Sequence, residues 1–461
     1  MKKILARLAL GAASSLALAM AAHAEVKVFR GFNLVDSVGN RTTANSAMIV
    51  DNGKITWVGP TAQLKAPAGA ESVDLAGKYV MPGLIDLHVH IGAVRDMAQN
   101  PDFYTRESVE KDLRQYAAYG VTTVQSMGTD TDLINEFKTQ RTGRPEYARV
   151  YAPGQGLVYC VPVAQCVTGI TGKVFVGGYG GIIPGVNHPF DTVEAALKEV
   201  DAQAAKGADF IKMWVDDELG QLPKMPPEIR KAIIDRAHQR GLRVLAHVFY
   251  LADAKQLVDA GVDGFVHMVR DQPVDDAFVS AMKAKGTWQV AATLSREASM
   301  FAFGTRAPFL DDPFFKHAVT PAQLAALESA ERQKTISGGP NYQNYMRFHA
   351  NALQSFKKLA DGGVKYGMGT DSGPVGRFHG YFAHWELEEM VTAGFTPAQA
   401  LTSATKNSAE WLKNNEIGAI APGKWADLLV LDANPLQNIR NTHKIAAVYI
   451  AGNKVPSVPQ Q

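Results

Sequence analysis

His88 and His90 stand one residue apart in GLIDLHVHIG, an apolar run over residues 83–92. Side chains alternate faces along a strand, so both imidazoles point the same way. Two imidazoles one pleat apart can bind one metal ion, and they can equally be hydrogen-bonded core histidines. The pair has company. Lys212 lies in DFIKMWV, His247 in RVLAHVF, His267 in GFVHMV and Asp371 in MGTDSG, each near the end of an apolar run. A buried polar group costs free energy unless it is paired, so packing alone does not place such residues repeatedly at run ends. Taken singly, Lys212 could cap a carboxylate or reach solvent, and Asp371 could cap a helix.

The runs themselves are LIDLHVH, VTTVQSM, ARVYAPG, DFIKMWV, RVLAHVF, GFVHMV, WQVAATL and KYGMGTDS. Between several of them lie stretches of helical periodicity, at 193–206, 227–240, 251–260 and 274–285, with another at 396–414. Eight short strands alternating with helices predict an α/β fold, a (β/α)8 TIM-like barrel. In such barrels the catalytic residues sit at strand C-terminal ends, and the six polar residues occupy the first, fourth, fifth, sixth and eighth runs. Strand-like segments with turn signals precede the barrel and return after it. They predict a small β-sandwich module built from both chain ends. The expected boundaries are a signal segment over 1–24, the module over 25–82 and 416–461, and the barrel over 83–415.

Several further residues are candidates for the pocket. Tyr250 follows His247 by three positions, Arg270 follows His267 by three, Arg296 follows the seventh run and His379 follows the eighth. Arg or Tyr at such places can bind a substrate carboxylate, and each can equally be structural. Tyr159 is in the same position beside Cys160. The glycine-rich stretch 174–189 lacks the Gly-Lys-Ser/Thr of a phosphate loop and reads as flexible pocket wall. The insertion 302–344, rich in Phe and Pro, reads as a lid or pocket wall over the active-site face. His188, His238, His317, His349, His384 and His443 fall outside the constellation and read as structural.

The set His88-x-His90, Lys212, His247, His267 and Asp371 resembles the metal-dependent amidohydrolase superfamily. The resemblance covers nearly the whole chain after residue 24. It includes YVMPGLIDLHVH entering the barrel, and GFTPAQALTSATKNSAEWL with IGAIAPGKWADLLVLD leaving it. Within the superfamily the chain is similar to the branch holding imidazolonepropionase, Xaa-Pro dipeptidases and N-acyl amino acid hydrolases, ochratoxin-degrading amidases among them. Imidazolonepropionase lacks the strand-four lysine, so GADFIKMWVDD points to the dipeptidase-like side. The resemblance implies that His88, His90 and Asp371 hold the more buried of two divalent metals and that His247 and His267 hold the more exposed one. It further implies that Lys212, carboxylated by CO2, bridges both together with a hydroxide. Zinc suits this nitrogen and oxygen ligand set, as do manganese and cobalt. The implied chemistry is attack of the hydroxide on an amide carbonyl, with Asp371 as general base and then general acid. The expected substrate is a dipeptide or N-acyl amino acid. A lactone, carbamate or phosphotriester hydrolase on the same centre is the nearest alternative, and a catalytically silent binding protein is the reading from another class.

Composition agrees with a globular enzyme. The chain has 461 residues, 46% of them hydrophobic and 20% charged, with a formal net charge of +2. No basic block supports nucleic acid as a partner, so the expected partner is a small-molecule substrate. Nothing in the sequence decides between monomer and homo-oligomer. Lys2 and Lys3 precede an apolar run over 8–22 and the small-x-small site Ala22-His23-Ala24, the pattern of a cleaved export signal. The protein is therefore expected in the periplasm or outside the cell, with no membrane association after cleavage. In that compartment Cys160 and Cys166, the chain's only cysteines, could close one small disulfide loop; their spacing permits a bond without requiring it.

Overall fold

The structure is a computed structural model, describing residues 26–141, 144, 146–163, 187–217, 219–220, 223–456 and 459. The expected signal segment, Cys166 and most of the glycine-rich stretch lie outside the described residues. The last residues of that stretch begin a strand, Asn187–Phe190, which pairs parallel with Gly156–Tyr159.

Parallel strands follow one another around a barrel. Leu84–Val89 pairs with Val121–Ser126, which pairs with Arg149–Tyr151. Gly156–Tyr159 continues from there and pairs with Ile211–Trp214, then come Val244–His247, Gly264–Phe265 and Trp288–Gln289. The eighth position is a loop-like segment rather than a regular strand. It closes the ring by bridges of Tyr366 to Gln289 and of Ser372 to Val89. Leu87 N donates to Met368 O at 2.8 Å, and His90 N to Ser372 O at 2.8 Å. Ile85, Leu87, Met127, Phe210, Leu245, Val266 and Val290, in or next to the barrel strands, meet in one buried cluster with Trp411. Two runs that read as full strands, those of Gly264–Phe265 and Trp288–Gln289, are paired over only two residues.

Helices lie outside the ring and start where their sequences say. Thr192 caps Val193–Ala205 by accepting from Ala195 N, and Asp275 caps Asp276–Lys285 by accepting from Phe278 N. Their buried faces join the large cluster formed by the outward sides of the barrel strands. No helix among the described residues is long and apolar enough to cross a membrane.

Both chain ends meet in a separate eight-stranded sheet. Tyr79–Pro82, just before the barrel, pairs antiparallel with Leu428–Leu431, just after it. Phe29, Phe32, Met48, Val80, Leu428 and Val430 give this sheet a core of its own. It is the separate β-module that the strand-like segments at both chain ends predict, with its strands joined in one sheet. A buried ion pair between Arg149 and Asp427 ties it to the barrel.

The insertion after the seventh strand is helical, in short pieces: Pro308–Asp311, Pro313–Lys316, Pro321–Glu328 and Ala330–Ser337. It is fastened to the first barrel helix and the loop before it. Tyr119 OH donates to Phe314 O at 2.5 Å, and Thr320 Oγ1 to Asp96 Oδ1 at 2.9 Å. With Asp112, Arg377 and His379 it walls a cavity of about 150 Å³ beside the eighth barrel segment.

Candidate metal centre

The first barrel strand and the eighth segment bring His88, His90 and Asp371 together. Asp86 does the joining. Its Oδ1 accepts from His88 N and Thr370 N, each at 3.1 Å, and its Oδ2 accepts from Thr370 Oγ1 at 2.7 Å. Asp371 N then donates to His88 O at 2.8 Å. Asp371 itself takes a left-handed conformation, φ 57°, which the tight turn after the segment requires. Gly373 follows at φ 119°, and a Cβ there would lie 1.9 Å from His90 O. Only glycine fits so close to that carbonyl.

The result is a buried set of three ligand atoms all within 4.8 Å of one another. His88 Nε2 and His90 Nε2 are 3.3 Å apart, and Asp371 Oδ1 lies 3.4 Å from the first and 3.0 Å from the second. The opposite ring nitrogens are held. His88 Nδ1 donates to Val266 O at 2.7 Å, and His90 Nδ1 lies 2.7 Å from Thr129 Oγ1. His267 stacks edge-on against His88 at 4.7 Å between centroids, and its Nδ1 lies 2.9 Å from Thr293 Oγ1. His247 is 4.1 Å from His267 by the same measure. Lys212 is fully buried, and its charge acts on all four imidazoles.

Burial sets the protonation of these groups. It pushes His88 and His267 well below the ordinary imidazole value, lowers His90, and takes His247 down to about 4. All four rings are therefore neutral near pH 7 and keep a lone pair. Burial would raise the Asp371 carboxyl, but Arg377, then His88 and His90, outweigh it and hold the group well below the carboxylate range. Arg377 pairs with Asp371 Oδ2, and Arg296 Nε lies 3.5 Å from the same oxygen. Neutral imidazoles and an ionised carboxylate, converging in a buried space, form a donor set suited to a divalent cation.

The remaining candidates are placed as follows. Arg296 belongs to this centre. Arg270 is turned inward: its Nη1 donates to Val248 O at 2.8 Å and Met268 O at 3.0 Å, and its Nε lies 3.0 Å from Glu297 Oε1. It buttresses the strand that carries His267. His379 donates through Nε2 to His90 O at 2.9 Å and also lines the cavity of about 150 Å³ beside the eighth segment. Tyr250 OH donates to Asp217 Oδ1 at 2.8 Å. Tyr159 packs near Phe190. Cys160 is buried and disulfide-bonded. Sequence reasoning missed Asp86, Thr129, Asp216, Thr293 and Arg377. Of these only Asp86, a carboxylate inside an apolar strand, carried a signal.

Residues 79–455 match the Amidohydrolase family. The chain belongs to that family. Among curated relatives it is 25% identical over 404 residues to an imidazolonepropionase of Cutibacterium acnes, covering 84% of each chain. Among solved structures it is similar to a putative prolidase from Bifidobacterium longum, with TM-score 0.70, 26% identity and coverage of 95% of this chain and 96% of that one. It shares its fold with the ochratoxinase of A. niger, TM-score 0.68 at 20% identity, over 94% and 95% of the two chains. This amidohydrolase is thus a hydrolase acting on carbon–nitrogen bonds, on the TIM-like barrel of its family.

Proposed function

We propose that this amidohydrolase is an exported, two-metal enzyme that cleaves the amide bond of a small substrate with a free carboxylate, a dipeptide or N-acyl amino acid. The observation that carries the reading is the buried His88, His90 and Asp371 set, backed by Arg377 and Arg296 on the far oxygen of Asp371. His88, His90 and Asp371 would hold one ion, His247 and His267 the other, and Lys212, as its carbamate, would bridge them. An ammonium among four imidazoles repels a cation; the carbamate reverses that sign. Zinc fits the donors, and when bound it would polarise a carbonyl and bring the pKa of water down to about 7.

The chain's own groups supply the rest. Asp371 is ionised and so able to take the proton of the attacking water and pass it to the leaving amine. Thr129, Thr293 and the Val266 carbonyl fix the ring orientations of His90, His267 and His88. Arg296 and Arg377 put positive charge beside the reacting centre, which favours an anionic substrate over a neutral lactone or phosphotriester. The signal-like segment at residues 1–24 supports export.

The test is turnover by metal-supplied enzyme across paired substrates, free acids and their C-terminal amides. We expect hydrolysis of dipeptides or N-acyl amino acids and a marked preference for the free acids. No turnover of any amide, with lactones or phosphotriesters cleaved instead, would overturn the reading.

A further inference from the structure

Three of the four imidazoles at the centre are tied by the same nitrogen. Nδ1 of His88 meets the Val266 carbonyl at 2.7 Å, Nδ1 of His90 meets Thr129 Oγ1 at 2.7 Å, and Nδ1 of His267 meets Thr293 Oγ1 at 2.9 Å. Each of these rings therefore offers Nε2 as its ligand atom. His247 is reversed. Its Nε2 lies 2.9 Å from Asp216 Oδ2, while its Nδ1 is buried with no hydrogen-bond partner among the described residues. A carboxylate can only accept, so the nitrogen facing it carries the ring proton, and the other nitrogen keeps the lone pair.

The backbone explains how Asp216 comes to be there. Trp214 and His247 are register partners in neighbouring parallel strands, and Val215 N donates to His247 O at 3.3 Å. Asp216 is the next residue out, with its side chain only 4% exposed. Asp217 repeats the pattern one step further, accepting from Tyr250 OH at 2.8 Å. Consecutive carboxylates from the end of the fourth barrel strand thus latch the end of the fifth. Among the described residues, only His88, His90 and Asp371 form a cluster of three such ligand atoms. Asp216 and His247 are not part of such a cluster among the described residues.

We propose that Asp216 is the positioning residue for His247: it holds the Nε2 proton and so presents Nδ1 as the ligand atom for the second metal. The inference rests on the two-metal reading above. A carboxylate behind a ligating imidazole fixes its tautomer and strengthens it as a donor.

The experiment uses the full chain with histidine labelled in 15N, first stripped of metal and then supplied with zinc. His247 is assigned from the resonance lost in His247→Gln. In metal-free wild type we expect a protonated Nε2 and a bare Nδ1, and in Asp216→Ala a mixture of both tautomers. Chelator competition should show the second equivalent of zinc bound about 10- to 100-fold more weakly in Asp216→Ala, with the first equivalent unchanged. Asp216→Asn keeps an acceptor without the charge and should fall between; it carries the test should the alanine variant fail to fold. A His247 protonated at Nδ1 in wild type, ligation through Nε2 in the loaded protein, or wild-type affinity for both equivalents in Asp216→Ala would each overturn the proposal. Wild type taking up only one zinc would overturn the two-metal reading instead, and the tautomer in metal-free protein would still decide the part played by Asp216.

Discussion

The sharpest demand at the residue scale falls on Lys212. It is buried among four imidazoles whose proton affinity its charge depresses, a place that suits an anion better than an ammonium. Replacing it with Ala should lower bound metal from about two equivalents to one or fewer and abolish turnover. Elemental analysis of Lys212→Ala checks this; two metals and full activity would remove the bridging role. The candidate ligands, of which His88, His90 and Asp371 cluster in the fold, were legible in the sequence because each is a polar residue ending an apolar run. Their partners were not. Thr129, Thr293, Asp216 and Arg377 matter through contacts between strands that the sequence does not show to be neighbours. For the same reason the contacts of His379 and Arg270 with backbone carbonyls were not legible.

At the scale of elements, the turn after the eighth segment and the helix behind it make the strongest predictions. Gly373→Ala would push a Cβ to within 1.9 Å of His90 O at a φ of 119°. We expect it to cost about 3 kcal/mol or more and to reduce metal binding, read from a denaturant titration and from metal content. A variant with unchanged stability would show that the turn tolerates more than its geometry implies. Glu386, on helix Tyr381–Thr392, accepts from Leu294 N at 2.9 Å and from Ser295 N at 2.7 Å. Burial nonetheless pushes its carboxyl up to about 8. The folded state then keeps a proton that the unfolded chain loses near its ordinary value, so this contribution to stability is full in acid and is lost as pH rises through about 8. Denaturation midpoints of wild type should therefore fall between pH 6 and pH 9, and Glu386→Gln should flatten that slope. An equal slope in both proteins would assign it to other groups. Helix positions were readable from apolar periodicity. The eighth barrel position was not readable as irregular, because its lack of a regular ladder comes from the ligand-bearing turn and not from its composition.

On the scale of the whole molecule, the barrel and the sheet made by the chain ends are joined through a buried pair, Arg149 with Asp427. Arg149→Met would leave Asp427 buried without its cation, and we expect a loss of about 3–5 kcal/mol in equilibrium unfolding. An unchanged midpoint would mean that the strand pairing of Tyr79–Pro82 with Leu428–Leu431 is sufficient on its own. The return of strand-like segments at the C-terminus made this shared sheet visible in the sequence, whereas its continuity as one sheet depends on pairings that only the folded chain displays. The same closure brings the first strand and the eighth segment side by side, and with them the buried donors on which the functional account stands. Metal content per chain is the measurement that tests that account most directly. Elemental analysis of the protein as purified, or supplied with zinc and bicarbonate, should find about two equivalents per chain; none under either condition would contradict the account.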